Sequence, residues 1–290
     1  MVPFCILHAI LVARVDTASP LLDARVARLP SVARWYLANE RTILAAISFG
    51  GFFVLWQIGA LTGRVNTLLF SSPALIVQAG LIEMQKLRFW NDMRVSAIEL
   101  VIGFCTAAVL GVVLGLLTGW YRRVDYFFDP WLSFLYALPR IALLPLIVIW
   151  VGLTIWSVVV AVFLGVFFTV GIGTRQGVRT VDAGLLEVAA SFQATRARVF
   201  WTVILPSSVP FILAALRLAV GHALVGIFVG ELYASNSGLG YMILIAGQQA
   251  QTDRLLFGVL IFTVVGVVLI ESMRLIERRF ENWRPRAVGG

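Results

Sequence analysis

Six long apolar segments dominate this 290-residue chain. Each reaches the roughly 20 apolar residues that a helix needs to cross the hydrocarbon core of a bilayer. Hydrophobic residues make up 60% of the chain and charged residues only 13%, which is too little polar surface for a soluble protein of this length. The sequence therefore predicts an all-α integral membrane protein. Its spans are expected at about 43–62, 95–119, 131–151, 154–174, 208–231 and 255–275.

Basic residues are distributed unequally between the two sets of loops. Sixteen Lys and Arg residues lie in one set, which includes both termini, and five lie in the alternate set. Because cytoplasmic loops carry the excess of Lys and Arg, both termini and the 175–207 loop are predicted to be cytoplasmic. Basic flanks on membrane spans also account for the net charge of +8, so we expect membrane lipid around the chain and no nucleic-acid partner.

Patterns for catalysis and for metal binding are missing from the sequence. The two histidines and two cysteines (His8, His222, Cys5 and Cys105) lack metal-ligand spacing and are too few for a disulfide framework. The G-x-x-x-x-G-K-[ST] phosphate loop is absent, as are H-E-x-x-H and G-x-S-x-G. We expect no catalytic residue, no metal site and no cofactor, and the energy for any transport must come from a partner.

Two spans carry residues that predict close packing or a break. Glycines in the second span recur on nearly one helix face, where small residues let another helix approach, although scattered glycines are also common in membrane helices. They are Gly103, Gly111, Gly115 and Gly119.

Pro139 and Pro145 interrupt the third span, which is therefore expected to line the transport path or to pivot during gating. Arg140 between them is expected to snorkel toward the cytoplasm.

The fifth span carries ionisable residues, which in a membrane helix normally face other helices or water. For Arg217 we expect a structural role, for His222 either an interhelical hydrogen bond or a pathway role, and for Glu231 a position in the path or gate. In the following turn-rich segment 234–241, Gly238 and Gly240 would permit the left-handed conformations of a sharp re-entrant turn. The 63–94 segment is expected outside, with a surface helix from Leu75 to Trp90.

A polar segment, E-V-A-A-S-F-Q-A-T-R-A-R-V-F-W-T-V-I-L-P at 187–206, separates the fourth and fifth spans. It resembles the "EAA" cytoplasmic loop of ABC importer permeases, whose pattern is Glu-Ala-Ala, a central glycine and an apolar run closing on Leu-Pro. The matching residues are Glu187, Ala189, Ala190, Ala194, Phe200, Val203, Leu205 and Pro206. Gln193 stands where the family has glycine.

The resemblance extends over about residues 66–283, and its first element is similar to the L-P-S-P that precedes the transport domain in nitrate, sulfonate and taurine permeases. It includes L-F-S-S-P, W-V-G at 150–152 and S-G-L-G-Y at 237–241. Many relatives carry arginine where this chain has Glu99. We expect Glu99 either to belong to the pathway or to pair with Arg94 or with another helix.

Membership of this family implies a six-helix type I ABC importer transmembrane domain in the bacterial inner membrane. Residues 182–205 would form two short helices that rest in a groove of a cytoplasmic ABC ATPase, which binds the ATP. A periplasmic or lipid-anchored binding protein would deliver a small nitrate-, sulfonate- or taurine-like solute or a related organic molecule, and a second, identical permease chain would complete the path for alternating access.

The predicted organisation has four parts and leaves alternatives open. A cytoplasmic tail (1–42) precedes the first span with its external segment (43–94), a core permease domain (95–276, with the coupling loop at about 182–206) and a cytoplasmic tail (277–290). A self-sufficient secondary transporter or channel would predict inverted halves or several buried ionisable residues. A membrane enzyme would need an acid–base or metal set.

Overall fold

The computed structural model describes residues 31–279, which contain helices and no strand. Residues 1–30, most of the predicted N-terminal tail, and residues 280–290 lie outside the described residues. The chain divides into two compact units, residues 1–65 and 66–290. In the first, helix α1 spans Ser31–Leu61 and includes an apolar stretch, Thr42–Leu61, long enough to cross a membrane.

The second unit consists of helices joined by short connections. In chain order they are α2 (Thr67–Phe70), α3 (Pro73–Met84), α4 (Leu87–Trp120), α5 (Arg122–Ala137), α6 (Leu144–Val151), α7 (Ile155–Arg179), α8 (Ala183–Ser191), α9 (Arg196–Val199), α10 (Leu205–Ala234), α11 (Leu239–Gln248) and α12 (Thr252–Arg279). A 3-10 turn at Arg140–Leu143 precedes α6, and a π-type turn at Phe200–Ile204 precedes α10.

Five of the described helical segments are long and apolar enough to cross a membrane, and a bent pair, α5 with α6, makes a sixth if it is counted as one span. The interruption that Pro139 and Pro145 predict in the 131–151 span is confirmed, since the pair bends by 88°. Leu138 is extended (φ −66°, ψ 136°), as expected of a residue before proline, and it ends α5. Pro139 and Pro145 both lie at helix starts, where a missing N–H costs no hydrogen bond.

The segment before α4 differs from the prediction of one surface helix over Leu75–Trp90. The Ser72 hydroxyl accepts a hydrogen bond from Leu75 N–H (3.3 Å) and caps α3, which ends at Met84. The Trp90 indole N–H donates to the Met84 carbonyl (2.9 Å), so a side chain from α4 satisfies the end of α3. Helix α4 then begins at Leu87 rather than at 95.

Helix α7 lies between α4 and α10, and the core consists of small and β-branched side chains from all three. A Cβ atom added at Gly103 would lie 2.8 Å from Val162 Cβ, and one at Gly111 would lie 2.9 Å from the Phe167 carbonyl oxygen. A Cβ atom added at Gly115 would likewise be too close to Thr174, and one added at Gly119 too close to Val178. The predicted glycine face is confirmed: only glycine lets the α4 backbone approach α7 this closely.

Ion pairs tie helices together near the start of α8. Arg175 of α7 binds two carboxylates of α5, Asp125 (2.9 Å) and Asp129 (2.6 Å), and Arg179 also binds Asp125. Arg217 of α10 binds Glu277 of α12 (2.9 Å). The structural role expected of Arg217 is therefore confirmed, since this pair fastens the last long helix to the core.

Candidate functional site

The segment from 182 to 206, called the coupling loop below, begins with a capped helix. The Asp182 carboxylate accepts a hydrogen bond from Gly184 N–H (2.7 Å) and so satisfies an amide at the start of α8. Glu187 lies one turn further along and is exposed. The loop therefore starts as a helix that forms from local interactions and leaves its acidic side chain in the open.

The turn after α8 explains why a glycine is usual at position 193. The Gln193 N–H donates to the Ala190 carbonyl (2.8 Å) and the Ala194 N–H donates to the Ala189 carbonyl (3.0 Å). This pair of bonds is the Schellman arrangement, which places its penultimate residue in the left-handed region. Gln193 has φ +50°, so it occupies a conformation that glycine adopts without strain. The expected helix–turn organisation is confirmed here.

The second helix of the loop is shorter than predicted and is continuous with the following span. Thr195 caps α9, which ends at Val199. The chain then winds in a wider turn in which Leu205 N–H donates to the Phe200 carbonyl, five residues back. Pro206, in the first turn of α10, has no N–H to continue the regular ladder, and Leu205 and Pro206 thus join the loop to the span.

Apolar side chains of the coupling loop are exposed, although loops are normally polar. Phe192 is 82% exposed, Trp201 66% and Val188 55%, and Leu185 is also exposed. Beside them, Ala190 is exposed and Ala189 and Ala194 are half-buried, which leaves a low, partly apolar surface. An exposed apolar patch of this kind is typical of a surface that binds another protein.

At the opposite end of α10, buried side chains hold the start of α11. Three consecutive amides are satisfied from other helices: Gly238 N–H donates to Asp92 Oδ1 (3.1 Å), Leu239 N–H to Ser96 Oγ (2.9 Å) and Gly240 N–H to Glu231 Oε2 (2.5 Å). The Ser96 hydroxyl donates in turn to Glu231 Oε1. A helix N-terminus with its partial positive charge is thereby anchored to α4 and α10.

Gly238 and Gly240 are required at this anchor for different reasons. Gly238 has φ +109°, which confirms the expectation of an unusual backbone conformation there. The same expectation is wrong for Gly240, which belongs to α11 and has no positive φ. A Cβ atom at Gly240 would lie 2.9 Å from both Glu231 Cβ and the Phe228 carbonyl, so close packing against α10 demands glycine.

Glu99 is fully buried and faces Glu231. The two carboxyl groups are near enough to share a proton in a hydrogen bond, and no other described residue donates to a Glu99 oxygen. The expectation that Glu99 pairs with Arg94 is wrong, because none of the described ion pairs includes Arg94. Arg94 and Glu99 are five residues apart and point from different faces of α4, so the partner comes from another helix, as the second alternative had it.

Arg140 follows the break at Pro139 and points into the protein. Its guanidinium donates to the Gly165 carbonyl (3.1 Å) and lies over the rings of Tyr136 (5.0 Å) and Phe168 (5.8 Å). The prediction that Arg140 snorkels toward the cytoplasm is wrong. The bend between α5 and α6 redirects the side chain toward the middle of α7, where a carbonyl and two aromatic faces receive it.

His222 makes the interhelical hydrogen bond that was one of its two expected roles. Its Nδ1 lies 3.2 Å from the Thr169 hydroxyl of α7. The residue also lines a cavity of about 410 Å³ together with Pro139 and Arg140. The structure thus brings His222 and the proline break together, whereas Glu99, Glu231, Gly238 and Gly240 form a separate cluster and the coupling loop a third.

Asp92, Ser96 and Thr169 belong to these clusters and were missed by sequence reasoning. Asp92 fell before the predicted start of the second span, so its burial could not be expected from hydropathy. Ser96 and Thr169 are small polar residues whose hydroxyls matter only through partners far away in sequence. In the part of the chain that the structure describes, His, Cys, Asp and Glu side chains do not gather in any group of three that could hold a metal ion.

Comparisons with known proteins agree with this arrangement. Residues 107–282 match the family model of the binding-protein-dependent transport system inner membrane component. The aliphatic sulfonates transport permease protein SsuC of Bacillus subtilis (strain 168) is 36% identical over 79% of this chain and 83% of its own length. The taurine transport system permease protein TauC of Escherichia coli (strain K12) is 29% identical over 86% of this chain and 92% of its own.

A solved structure shows the same fold. It is a bacterial ABC transporter involved in the import of the acidic polysaccharide alginate, with a TM-score of 0.59 and 14% identity over 86% of this chain and 99% of that chain. These matches do not favour a self-sufficient secondary transporter or channel. The chain belongs to the family of binding-protein-dependent transport system inner membrane components, as the permease subunit of an ABC importer whose ATPase is a separate subunit.

Proposed function

We propose that two identical copies of this permease form the membrane path of an importer for a small sulfonate-, taurine- or nitrate-like solute or a related small organic molecule. Two cytoplasmic ATPases bind and hydrolyse ATP, and an external periplasmic or lipid-anchored binding protein delivers the solute. The permease itself holds no cofactor. The names of the relatives, which refer to aliphatic sulfonates and taurine, support this class of solute.

The coupling loop is the surface that receives the force of ATP hydrolysis. The observation that carries this proposal is its exposed apolar surface, with Phe192 82% exposed beside the small Ala190. Small residues allow a partner to approach α8, and Glu187 is free to pair across the contact. The Schellman turn at Gln193 fixes the angle between α8 and α9, so a push on α8 is transmitted through the π-type turn into α10.

The sidedness of the loop follows from the distribution of basic residues. With both termini and the coupling loop in the cytoplasm, the Arg-rich ends lie on the side that contains ATP. The cluster around Glu99, Glu231, Gly238 and Gly240 then lies near the outer end of the path, where the binding protein docks. Pro139, Pro145 and His222 lie between the two ends and act in the path or its gate.

A bulky substitution in the coupling loop tests its role in binding the ATPase. We expect Ala190→Arg to prevent co-purification of the ATPase, because overpacking a close contact is costly. Asn236→Arg adds the same side chain to an exposed position outside the loop and should leave co-purification intact. Glu187→Ala should retain the ATPase but reduce solute-stimulated ATP hydrolysis in proteoliposomes. Wild-type assembly and coupling in Ala190→Arg would contradict the proposal.

A separate experiment tests on which side of the membrane the coupling loop lies. In a cysteine-free background, Asn236→Cys should react with an impermeant maleimide in intact cells, whereas Ser191→Cys should react only after the membrane is opened. Both positions are accessible in the structure, so a difference in labelling reports the side of the membrane rather than burial. Labelling of both in intact cells would contradict the proposed topology.

A further inference from the structure

The cavity of about 410 Å³ lies where α5 and α6 separate, against α7 and α10. Its walls are mostly apolar, with Leu144, Ala161 and Val229 among the lining residues. The ionisable side chains in the lining are Arg140, His222 and Tyr136, and no carboxylate is among the residues that line it. A cavity of this size, apolar with a few convergent polar groups, is typical of a small-molecule site.

The charge of Arg140 is not neutralised by the described part of the protein. A guanidinium has five N–H donors and remains charged at any physiological pH. One of these donors binds the Gly165 carbonyl, two aromatic rings cover the group, and none of the described ion pairs includes it. The remaining donors are therefore available to an acceptor in the cavity, and an anionic acceptor would form the stronger, charge-assisted bonds.

A short chain of hydrogen bonds orients His222 toward the same site. The Thr169 hydroxyl donates to the Gly165 carbonyl (3.1 Å), the oxygen that also accepts from Arg140. A hydroxyl has one proton, so while Thr169 donates to Gly165 its contact with His222 Nδ1 (3.2 Å) is one in which the imidazole donates. The other ring nitrogen, Nε2, has no partner among the described residues, and the imidazole is held in place beside the guanidinium.

We propose that this cavity is a solute-binding site within the permease and that it selects a small organic anion with a compact apolar body. The guanidinium of Arg140 binds the anionic head group, His222 contributes a second polar contact, and the apolar walls surround the body of the solute. The anion would pass this site after leaving the binding protein, so the inference rests on the proposed function for the direction of transport. The binding itself does not depend on the coupling loop.

Binding to the permease–ATPase complex without the binding protein tests this proposal. The probes are ethanesulfonate, its neutral isostere ethyl methyl sulfone, and inorganic sulfate, which lacks an apolar body. We expect ethanesulfonate to bind most tightly, measured by calorimetry and by the shift in melting temperature. Arg140→Gln can still donate to the Gly165 carbonyl but has lost the charge, and it should weaken ethanesulfonate binding by roughly 10- to 100-fold.

Matched variants separate binding from folding. Arg140→Lys retains the charge without the planar fork and should give an intermediate affinity. Arg123→Gln removes an exposed arginine outside the cavity and should bind like the wild type. Variants are compared only if they co-purify with the ATPase. Equal binding of the sulfone and ethanesulfonate, or wild-type affinity in both Arg140 variants, would overturn the proposal.

The two proposals fail in different measurements. If Ala190→Arg assembles and couples normally while Arg140→Gln loses ethanesulfonate binding, the role of the coupling loop is wrong and the anion site stands. If coupling depends on the loop but the wild-type complex does not distinguish ethanesulfonate from the sulfone, the anion site is wrong and the importer assignment stands.

Discussion

Buried carboxylates occur at both ends of the α4–α7–α10 core, but they are balanced differently. Near the coupling loop, Asp125 is paired with Arg175 and Arg179, and Glu277 with Arg217. Near the start of α11, Asp92 lies 3.8 Å from Arg88, but Glu231 is held by a hydroxyl and a backbone amide, and it faces a second carboxyl group, Glu99, instead of a cation.

This difference predicts different responses to neutral substitutions. Where each carboxylate has an arginine, removal of a partner leaves a buried charge with less or no compensation. Where two buried carboxyl groups face each other, one of them stays protonated, so replacing that group by a neutral amide removes no charge. The end near the coupling loop therefore resembles a fixed clamp. The end near α11 depends on one particular carboxylate and on close backbone packing.

The largest expected effect concerns the clamp. Arg175→Met keeps most of the side-chain volume but leaves Asp125 with only Arg179, which is 43% exposed. We expect the free energy of unfolding to fall by about 3 kcal/mol, the lower end of the range for breaking a buried pair. Thermal unfolding of the purified complex, followed by tryptophan fluorescence, measures this.

The control for the clamp is an exposed pair. Glu271→Ala breaks the bond to Arg274 (3.0 Å), in which both side chains are about half exposed, and should cost at most about 0.5 kcal/mol. Equal losses for Arg175→Met and Glu271→Ala would show that burial does not strengthen the clamp and would remove the contrast between the two ends.

A smaller effect is expected from packing at the α11 end. Gly240→Ala places a methyl group against Glu231 and the Phe228 carbonyl, which should displace α11 and cost about 1–3 kcal/mol. Gly221→Ala on α10 is the matched control, since a Cβ atom there meets no neighbour within 4 Å. Hydrogen exchange at the amides of 238–240 should increase in the first variant only, and unchanged exchange would contradict the close-packing explanation.

The two glutamates of this cluster should respond to substitution to different extents. Glu231→Gln has one acceptor where Ser96 and Gly240 need two, so it should lose about 1–3 kcal/mol of unfolding free energy. Glu99 has no other donor among the described residues, so it is the protonated member of the pair, and the amide of Glu99→Gln can still donate to Glu231. This variant should therefore change the unfolding free energy by at most about 0.5 kcal/mol. Melting temperatures of both variants at neutral pH decide the matter. A loss in Glu99→Gln equal to that in Glu231→Gln would contradict this difference between the two carboxyl groups.

The smallest effect lies in the coupling loop. Gln193→Gly relieves a left-handed conformation and should stabilise the turn by about 0.5–1 kcal/mol. Amide exchange in α8 should slow slightly, and ATPase coupling in proteoliposomes should remain at the wild-type level. Loss of coupling in this variant would show that the Gln193 side chain has a role that its backbone conformation does not reveal.

Several features of the fold were predictable because they depend on short-range rules. Spacings of four and eight residues place Gly103, Gly111 and Gly115 on one face of any helix, and the structure confirms that α7 packs there. The family pattern predicted a turn at Gln193, and its φ of +50° agrees. Hydropathy located the apolar segments but not their ends, since α4 starts at Leu87 inside a segment that was expected to lie outside the span.

Other features depended on contacts between residues far apart in sequence. Pro139 predicted a break but not its 88° angle, because the directions of α5 and α6 depend on packing against other helices and not on the residues at the break alone. Arg94 seemed a natural partner for Glu99 by proximity in sequence, yet helix geometry turns it to another face. For Arg140, the deciding partner is the Gly165 carbonyl, which no local pattern connects with it.

The sequence by itself determined the membrane class, the apolar segments and, through the family pattern, the turn in the coupling loop. Hydropathy, helix periodicity and capping act within a few residues, so they can be evaluated without a partner. Only the tertiary structure decided which carboxyl group faces which and where the charge of Arg140 points. The free energy of a buried charge depends on the groups around it. These groups lie on helices that are far apart in sequence and meet only through packing.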